Sequence, residues 1–242
     1  MMPKKRVVLF IVEGINDKIA LALPLEKLLT TENVKFEITE GDITSDYYGK
    51  DAAARVGDLI KKHCDEYKYK REDFAEVVLL VDMDGAYISE NSIIQSDDYD
   101  KPYYDSNKIL HQNPEKVKKT HGRKQKNLNR LIFLPQVNRT IPFSVYFFSC
   151  NLDHVICENA NLSRNEKSLV VESFEEEYQA DPTGFISFFH ADEIAIADTY
   201  NGSWNYIKQD INSLKRCSNF HIFLSPRAIR IPRSFSHRRS AT

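Results

Sequence analysis

Two short apolar runs, each closed by an acid and a glycine, constrain this chain more than any other feature. The first is Val7-Val8-Leu9-Phe10-Ile11-Val12, followed by Glu13-Gly14 and, three residues on, by Asp17. The second is Val77-Val78-Leu79-Leu80-Val81, followed by Asp82-Met83-Asp84-Gly85. Both are continuous and β-branched, the form of a strand covered on both faces.

The stretch between them predicts the rest of an α/β unit. Val34–Ile38 alternates and reads as a strand. Asp17 to Thr30 is leucine-rich at helical spacing, with Pro24 predicting a kink or a stop and restart. Asp51 to Tyr67 places Val56, Leu59, Ile60, His63, Cys64 and Tyr67 on one helical face. Strand, helix, strand, helix, strand is the order of a parallel sheet with right-handed crossovers. Reactive groups in such sheets gather at the carboxyl ends of the strands. Glu13 and Asp82 both stand there, so the order predicts one site built from two distant segments.

Beyond Gly85 the pattern is less regular. Residues 86–114 are rich in Tyr and Asp, and residues 115–130 are basic. Within the basic run, Lys116, Lys118, Lys119, Arg123, Lys124 and Lys126 are candidate phosphate contacts. Leu131–Leu134 and Phe143–Phe148 read as two further strands. The last hundred residues read as mainly helical. Ser163-Arg164-Asn165-Glu166 has the form of a capping box, Asp181-Pro182 of a helix start, and Ser203 to Leu214 of a further helix. The expected organisation is an α/β domain over residues 1–150, interrupted at about 86–130. A helical extension over 151–224 and a basic, poorly ordered tail over 225–242 would follow.

Composition narrows the classes. The chain has 242 residues, 42% hydrophobic and 28% charged, which suits an ordinary globular domain. A net charge of −2 gives no bulk argument for nucleic acid. Four scattered cysteines do not make a secreted disulfide framework. No apolar run reaches the roughly 20 residues of a membrane span. The basic Met1-Met2-Pro3-Lys4-Lys5-Arg6 start lacks a signal-peptide core and cleavage site. The expectation is a reduced, cytoplasmic protein without a membrane partner.

Acids at adjacent strand ends suit hard divalent cations, which prefer carboxylate oxygens and keep part of their water shell. In Asp82-Met83-Asp84 extended geometry directs both carboxylates to one side, and Gly85 lets the backbone turn away. An apolar strand ending in Glu-Gly-x-x-Asp, then one ending in Asp-x-Asp-Gly, resembles the Toprim domain. That domain is shared by topoisomerases, bacterial primases, recombination-repair proteins and OLD-family nucleases. The likeness covers about residues 6–90. It implies a Rossmann-like, mainly parallel sheet flanked by helices and an acidic centre of Glu13, Asp82 and Asp84 that holds Mg²⁺ or Mn²⁺. Asp17 is implied as an additional metal-binding acid. The Glu-Gly-x-x-Asp form is most similar to OLD-type nucleases and small Toprim proteins of anti-phage systems. Those often act beside an ATPase on a separate chain or domain, and this chain has no P-loop glycine pattern of its own. The implied activity is phosphodiester cleavage of nucleic acid, DNA favoured over RNA, in a chain that can also be oligomeric.

A further acid and a lysine, common in such nucleases, have no secure place in the sequence. Asp153 and Glu158, just after the Phe143–Phe148 run, are the candidates for the acid. Cys150, His154 and Cys157 would share one helical face but lack a fourth ligand at zinc-site spacing. Two other functions stay open. Val81-Asp82-Met83-Asp84-Gly85 is similar to the first motif of haloacid-dehalogenase-type phosphatases, with Asp82 as nucleophile and Asp84 as general acid. The chain is also readable as a non-catalytic Toprim-fold subunit of an ATPase complex.

Overall fold

Strand β1 (Val7–Val12) is buried along its whole length. In the computed structural model, which describes residues 6–30, 32–39, 42–45 and 51–228, it lies near the middle of a five-stranded sheet. Helix α1 (Ile15–Leu28) leads to β2 (Asn33–Ile38), and helix α2 (Ala52–Tyr67) leads to β3 (Phe74–Asp82). Strands β1 and β2 pair in parallel, as do β1 and β3. The chain thus leaves β1 to one side, then returns to build on the other.

Residues 86–112 form a small separate sheet of β4 (Ile93–Gln95), β5 (Tyr103–Tyr104) and β6 (Ile109–His111), ordered β4-β6-β5. Helix α3 (Pro114–Leu131) follows, then β7 (Gln136–Val137) and β8 (Ile141–Phe148). Strand β8 pairs in parallel with β3 and antiparallel with β7, so the main sheet runs β2-β1-β3-β8-β7. Five helices complete the described chain: α4 (Leu152–Cys157), α5 (Arg164–Tyr178), α6 (Pro182–Phe189), α7 (Tyr200–Ile207) and α8 (Phe220–Ala228). The architecture is α/β, with a mostly parallel sheet between two helical layers, compatible with a Rossmann-like fold.

Alternation along the strands sorts the layers. Val7, Leu9 and Ile11 of β1, with Val77, Leu79 and Val81 of β3, face a core shared with α2, α3 and α7. Val8, Phe10 and Val12 face the opposite core, built from α1, α5, α6 and α8. There Phe10 stacks on Phe36 at 5.1 Å and meets Phe223 edge-on at 5.4 Å. The helices after β8 therefore share a core with the first strand.

Several local expectations change. Pro24 sits inside a continuous α1, buried where the helix packs between β2, α5 and α6. Packing on these sides holds the helix across the missing hydrogen bond. Leu131–Leu134 is not a strand. Leu131 ends α3, and it and Ile132 are buried in the core; so short an apolar run does not declare its period. The helix expected from Ser203 to Leu214 stops at Ile207. A separate 3-10 turn covers Asn212–Leu214, after Asp210 adopts a left-handed φ of 46°. Both helix starts, with Ser163 and Asp181 as caps, are present. Of the tail expected to be poorly ordered, Ser225 to Ala228 end α8, and residues 229–242 lie outside the described residues, as do residues 1–5. Among the described residues no helix is long and apolar enough to cross a membrane.

Candidate functional site

The strand order reverses between β1 and β3, and their carboxyl ends form the crevice where open α/β sheets collect ligands. Glu13 leaves β1 there. Its Oε1 accepts the Asp82 backbone N–H at 3.3 Å, joining the two segments across 69 residues. Asp17 folds back in the first turn of α1, where its carboxylate accepts the Gly14 N–H at 2.9 Å.

Asp82 is the last residue of β3, and its Oδ1 accepts the Leu152 N–H at 3.1 Å, at the start of α4. The chain then turns sharply. Asp84 has a φ of 50° and Gly85 a φ of 67°. An aspartate tolerates that region better than most residues. At Gly85 a Cβ would lie 2.7 Å from Leu214 Cδ2 and 2.8 Å from Ile109 Cδ1. The turn is pinned by backbone bonds from Met83 N–H to Phe148 O (3.0 Å) and Asp84 N–H to Cys150 O (2.8 Å). The Tyr104 hydroxyl donates to Asp84 Oδ1 at 3.0 Å. Tyr104 is itself clamped by two reciprocal bonds with Asn161, at 2.8 and 2.7 Å.

Lys124 completes this half of the site. Its side chain is only 1% exposed. The ammonium donates to the Asp82 carbonyl at 2.6 Å and to Asp84 Oδ2, and lies 2.8 Å from Asp42 Oδ2. Two hydrogen bonds and one further ion-pair contact thus surround the ammonium. Asp42 is held by its own turn, whose Thr44 N–H donates to Asp42 Oδ1 at 2.6 Å, and Asn127 of α3 donates to Thr44 O at 2.7 Å. A second lysine, Lys167 of α5, pairs with the buried Asp153 of α4. Six carboxylates thus share the region with two ammonium groups.

The electrostatics follow from that imbalance. Burial, and then the nearby Asp42 carboxylate, push the Glu13 carboxyl well above the usual range. Burial, followed by Asp17 and Asp84, does the same to Asp82. Burial raises Asp17 to about 6, with Asp153 adding to the effect. At Asp42 burial is outweighed by Lys124, which holds that carboxyl down at about 2. Burial works against the Lys124 ammonium, yet Asp42 and Asp84 keep it firmly protonated.

A cleft of about 690 Å³ opens over Asp82 and Asp84. Residues 98–104, Arg164 and Lys167 are among its lining. Asp84 keeps 34% of its side chain exposed, so the acids form a floor reached from solvent.

Among the expected residues, Glu13, Asp82 and Asp84 share one end of the sheet, and Asp17 stands within electrostatic reach of Asp82. No three acid, histidine or cysteine side chains among the described residues converge tightly enough to enclose an ion by themselves. Lys124, expected as a phosphate contact, instead lies buried against the acids. Lys116, Lys119 and Lys126 are exposed on α3, Lys118 pairs with Glu115 at 2.7 Å, and Arg123 donates to Thr120 at 3.2 Å. Of the two later acids, Asp153 faces Asp17 and Asp82, whereas Glu158 is exposed and pairs with Arg216 at 3.0 Å. Cys150 precedes α4 with a φ of 46°, so it shares no helical face with His154 and Cys157.

Lys124 had a signal in the sequence that its charge masked. Val117, His121, Lys124, Leu128 and Leu131 are the buried face of α3, at alternating spacings of four and three. A lysine on an otherwise apolar stripe is a lysine with a buried partner. Asp42 had no comparable signal, lying in a polar turn between elements. Comparisons with protein-family models, curated proteins and solved structures found no match to this chain.

Proposed function

We propose that this chain hydrolyses phosphodiester bonds of nucleic acid, DNA in preference to RNA, as a Toprim-type nuclease using Mg²⁺ or Mn²⁺. The observation that carries the reading is the charge imbalance at the switch point of the sheet. Carboxylates at the ends of β1 and β3 and in the first turn of α1 outnumber the lysines beside them, and burial, with their mutual repulsion added, raises the Glu13 and Asp82 carboxyls. Such a cluster attracts a hard divalent cation, and oxygen-only donors with room for water suit Mg²⁺. Glu13, Asp82 and Asp84 would hold the ion, with Asp17 beside them. When bound, it supplies positive charge to the phosphate and an acidified water.

The protein's own groups have separable tasks. Lys124 fixes Asp84 and Asp42 in place. The Leu152 N–H and the Asp82 N–H orient Asp82 and Glu13 respectively. Lys167 and Arg164, on the cleft wall, offer charge to a phosphate entering over the acids. A phosphatase with Asp82 as nucleophile gives Glu13 and Asp17 no task, which favours the nuclease reading. An ATPase partner in an anti-phage setting belongs to the same proposal, since the chain lacks a P-loop pattern; co-purification with an ATPase is its test.

The decisive experiment is cleavage of plasmid and single-stranded substrates with Mg²⁺ or Mn²⁺. Glu13→Gln and Asp84→Asn are each expected to lower the rate by about 100-fold or more. Unchanged cleavage by both variants would remove the assignment. Hydrolysis of a phosphomonoester that survives Glu13→Gln but not Asp82→Asn would move the chain to the phosphatase class.

A further inference from the structure

Two stretches of the chain, within residues 98–104 and 160–167, line the cleft above the acids. On one, Tyr99 and Tyr103 stack with ring centroids 4.4 Å apart and planes within 25°. Both line the cleft, and Tyr103 is 36% exposed. The same stretch carries Asp98 and Asp100, with Lys101 beside them. The other carries Arg164 and Lys167, the latter paired with Asp153. Between them the floor is Asp82 and Asp84, and the space is about 690 Å³.

A nucleotide is asymmetric in the same way, with a neutral aromatic face at one end and an anionic phosphate at the other. Base-on-aromatic stacking tolerates any sequence, because every base has a π-face. The tyrosine pair offers the base a stacking partner, and Arg164 and Lys167 offer the phosphate positive charge. A duplex hides its base faces in its own stack; only an unpaired or extruded nucleotide presents a free face. The tyrosine stretch is also held firmly. Tyr104, next to Tyr103, is tied to Asn161 by two hydrogen bonds and to Asp84 by a third.

We propose that the Tyr99–Tyr103 pair is a base-stacking platform, so that the cleft takes an unpaired nucleotide with its phosphate turned toward Arg164 and Lys167. This rests on the nuclease reading and names the form of its substrate. Tyr99 and Tyr103 would be binding residues that select single-stranded segments, loops or frayed ends over paired nucleic acid.

The test uses the full chain with Ca²⁺ in place of Mg²⁺ and oligonucleotides carrying 2-aminopurine, whose fluorescence falls when the base stacks. Single strands are expected to bind more tightly than the matching duplex and to be quenched on binding. Tyr103→Ala should weaken single-strand binding by about ten-fold and abolish the quench. Tyr103→Phe, which keeps the ring and only removes the hydroxyl, should preserve both and shows that the fold is intact. Equal binding of duplex and single strand, or a quench that survives Tyr99→Ala and Tyr103→Ala together, overturns the platform. Cleavage that ignores both tyrosines overturns it while leaving the nuclease reading standing. Quenched, tyrosine-dependent binding with no cleavage supports the platform and removes the nuclease instead.

Discussion

Lys124 shows how much one side chain decides here. It is fully buried, yet its ammonium lies against three oxygens of the acid site. Removing one partner of a buried ion pair leaves the others uncompensated, at a cost of about 3–5 kcal/mol. Lys124→Ala is therefore expected to lower unfolding stability by about that amount in a urea titration, whereas Lys126→Ala, on the exposed face, should change it by less than about 0.5 kcal/mol. Asp17 supplies a pH signature. Its folded pKa of about 6 lies above the ordinary aspartate value of about 3.9. A carboxyl raised by folding stabilises the protein fully below its unfolded pKa, and that contribution is lost as pH rises through the folded value. Asp42, held down at about 2, acts in the opposite sense: its contribution is gained as pH rises past the unfolded aspartate value and is constant above about pH 5. The metal-free protein should thus lose stability from this site between about pH 4 and 7, with the raised Glu13 and Asp82 carboxyls adding in the same direction. Urea midpoints measured across that range, for the parent and for Asp17→Asn, check the sign: the variant should show a shallower decline.

At the level of elements, the strand-end turn after β3 carries the sharpest constraint. Gly85→Ala would place a methyl against Leu214 and Ile109 in a left-handed backbone conformation. It should cost about 1–3 kcal/mol and shift Asp84, lowering stability and the Mg²⁺-dependent rate together. The two main strands and both of the first helices were legible because their periods are unmixed: β1 and β3 are apolar throughout, and α2 repeats at helical spacing. Legibility failed where one residue type served two ends. The basic run of α3 reads as a solvated charge stretch, because its buried stripe is interrupted by His121 and Lys124. The small sheet of β4, β5 and β6 has strands of two or three residues, too short to show any period. The acids Glu13, Asp82 and Asp84 were visible from the motif order; Asp42 and Tyr104 join them only through contacts made by the folded chain.

Six carboxylates meet at one end of the sheet, and this yields a bulk measurement. A ligand that binds only the folded state raises stability by mass action. Mg²⁺ or Mn²⁺ at millimolar levels should raise the melting temperature, and NaCl at equal ionic strength should not. Glu13→Gln with Asp84→Asn should remove the response. The site also has a history written in chain order. Glu13 is made first, Asp82 follows 69 positions later, Lys124 comes 42 after that, and Leu152 lies 70 beyond Asp82. During synthesis the acids leave the ribosome well before the lysine that neutralises them and the amide that orients Asp82. Domains with such long sequence separations between partners close slowly. The site as folded takes contacts from both sides of β8, Lys124 before it and the Leu152 N–H after it, so the reactive centre is complete only when the sheet is.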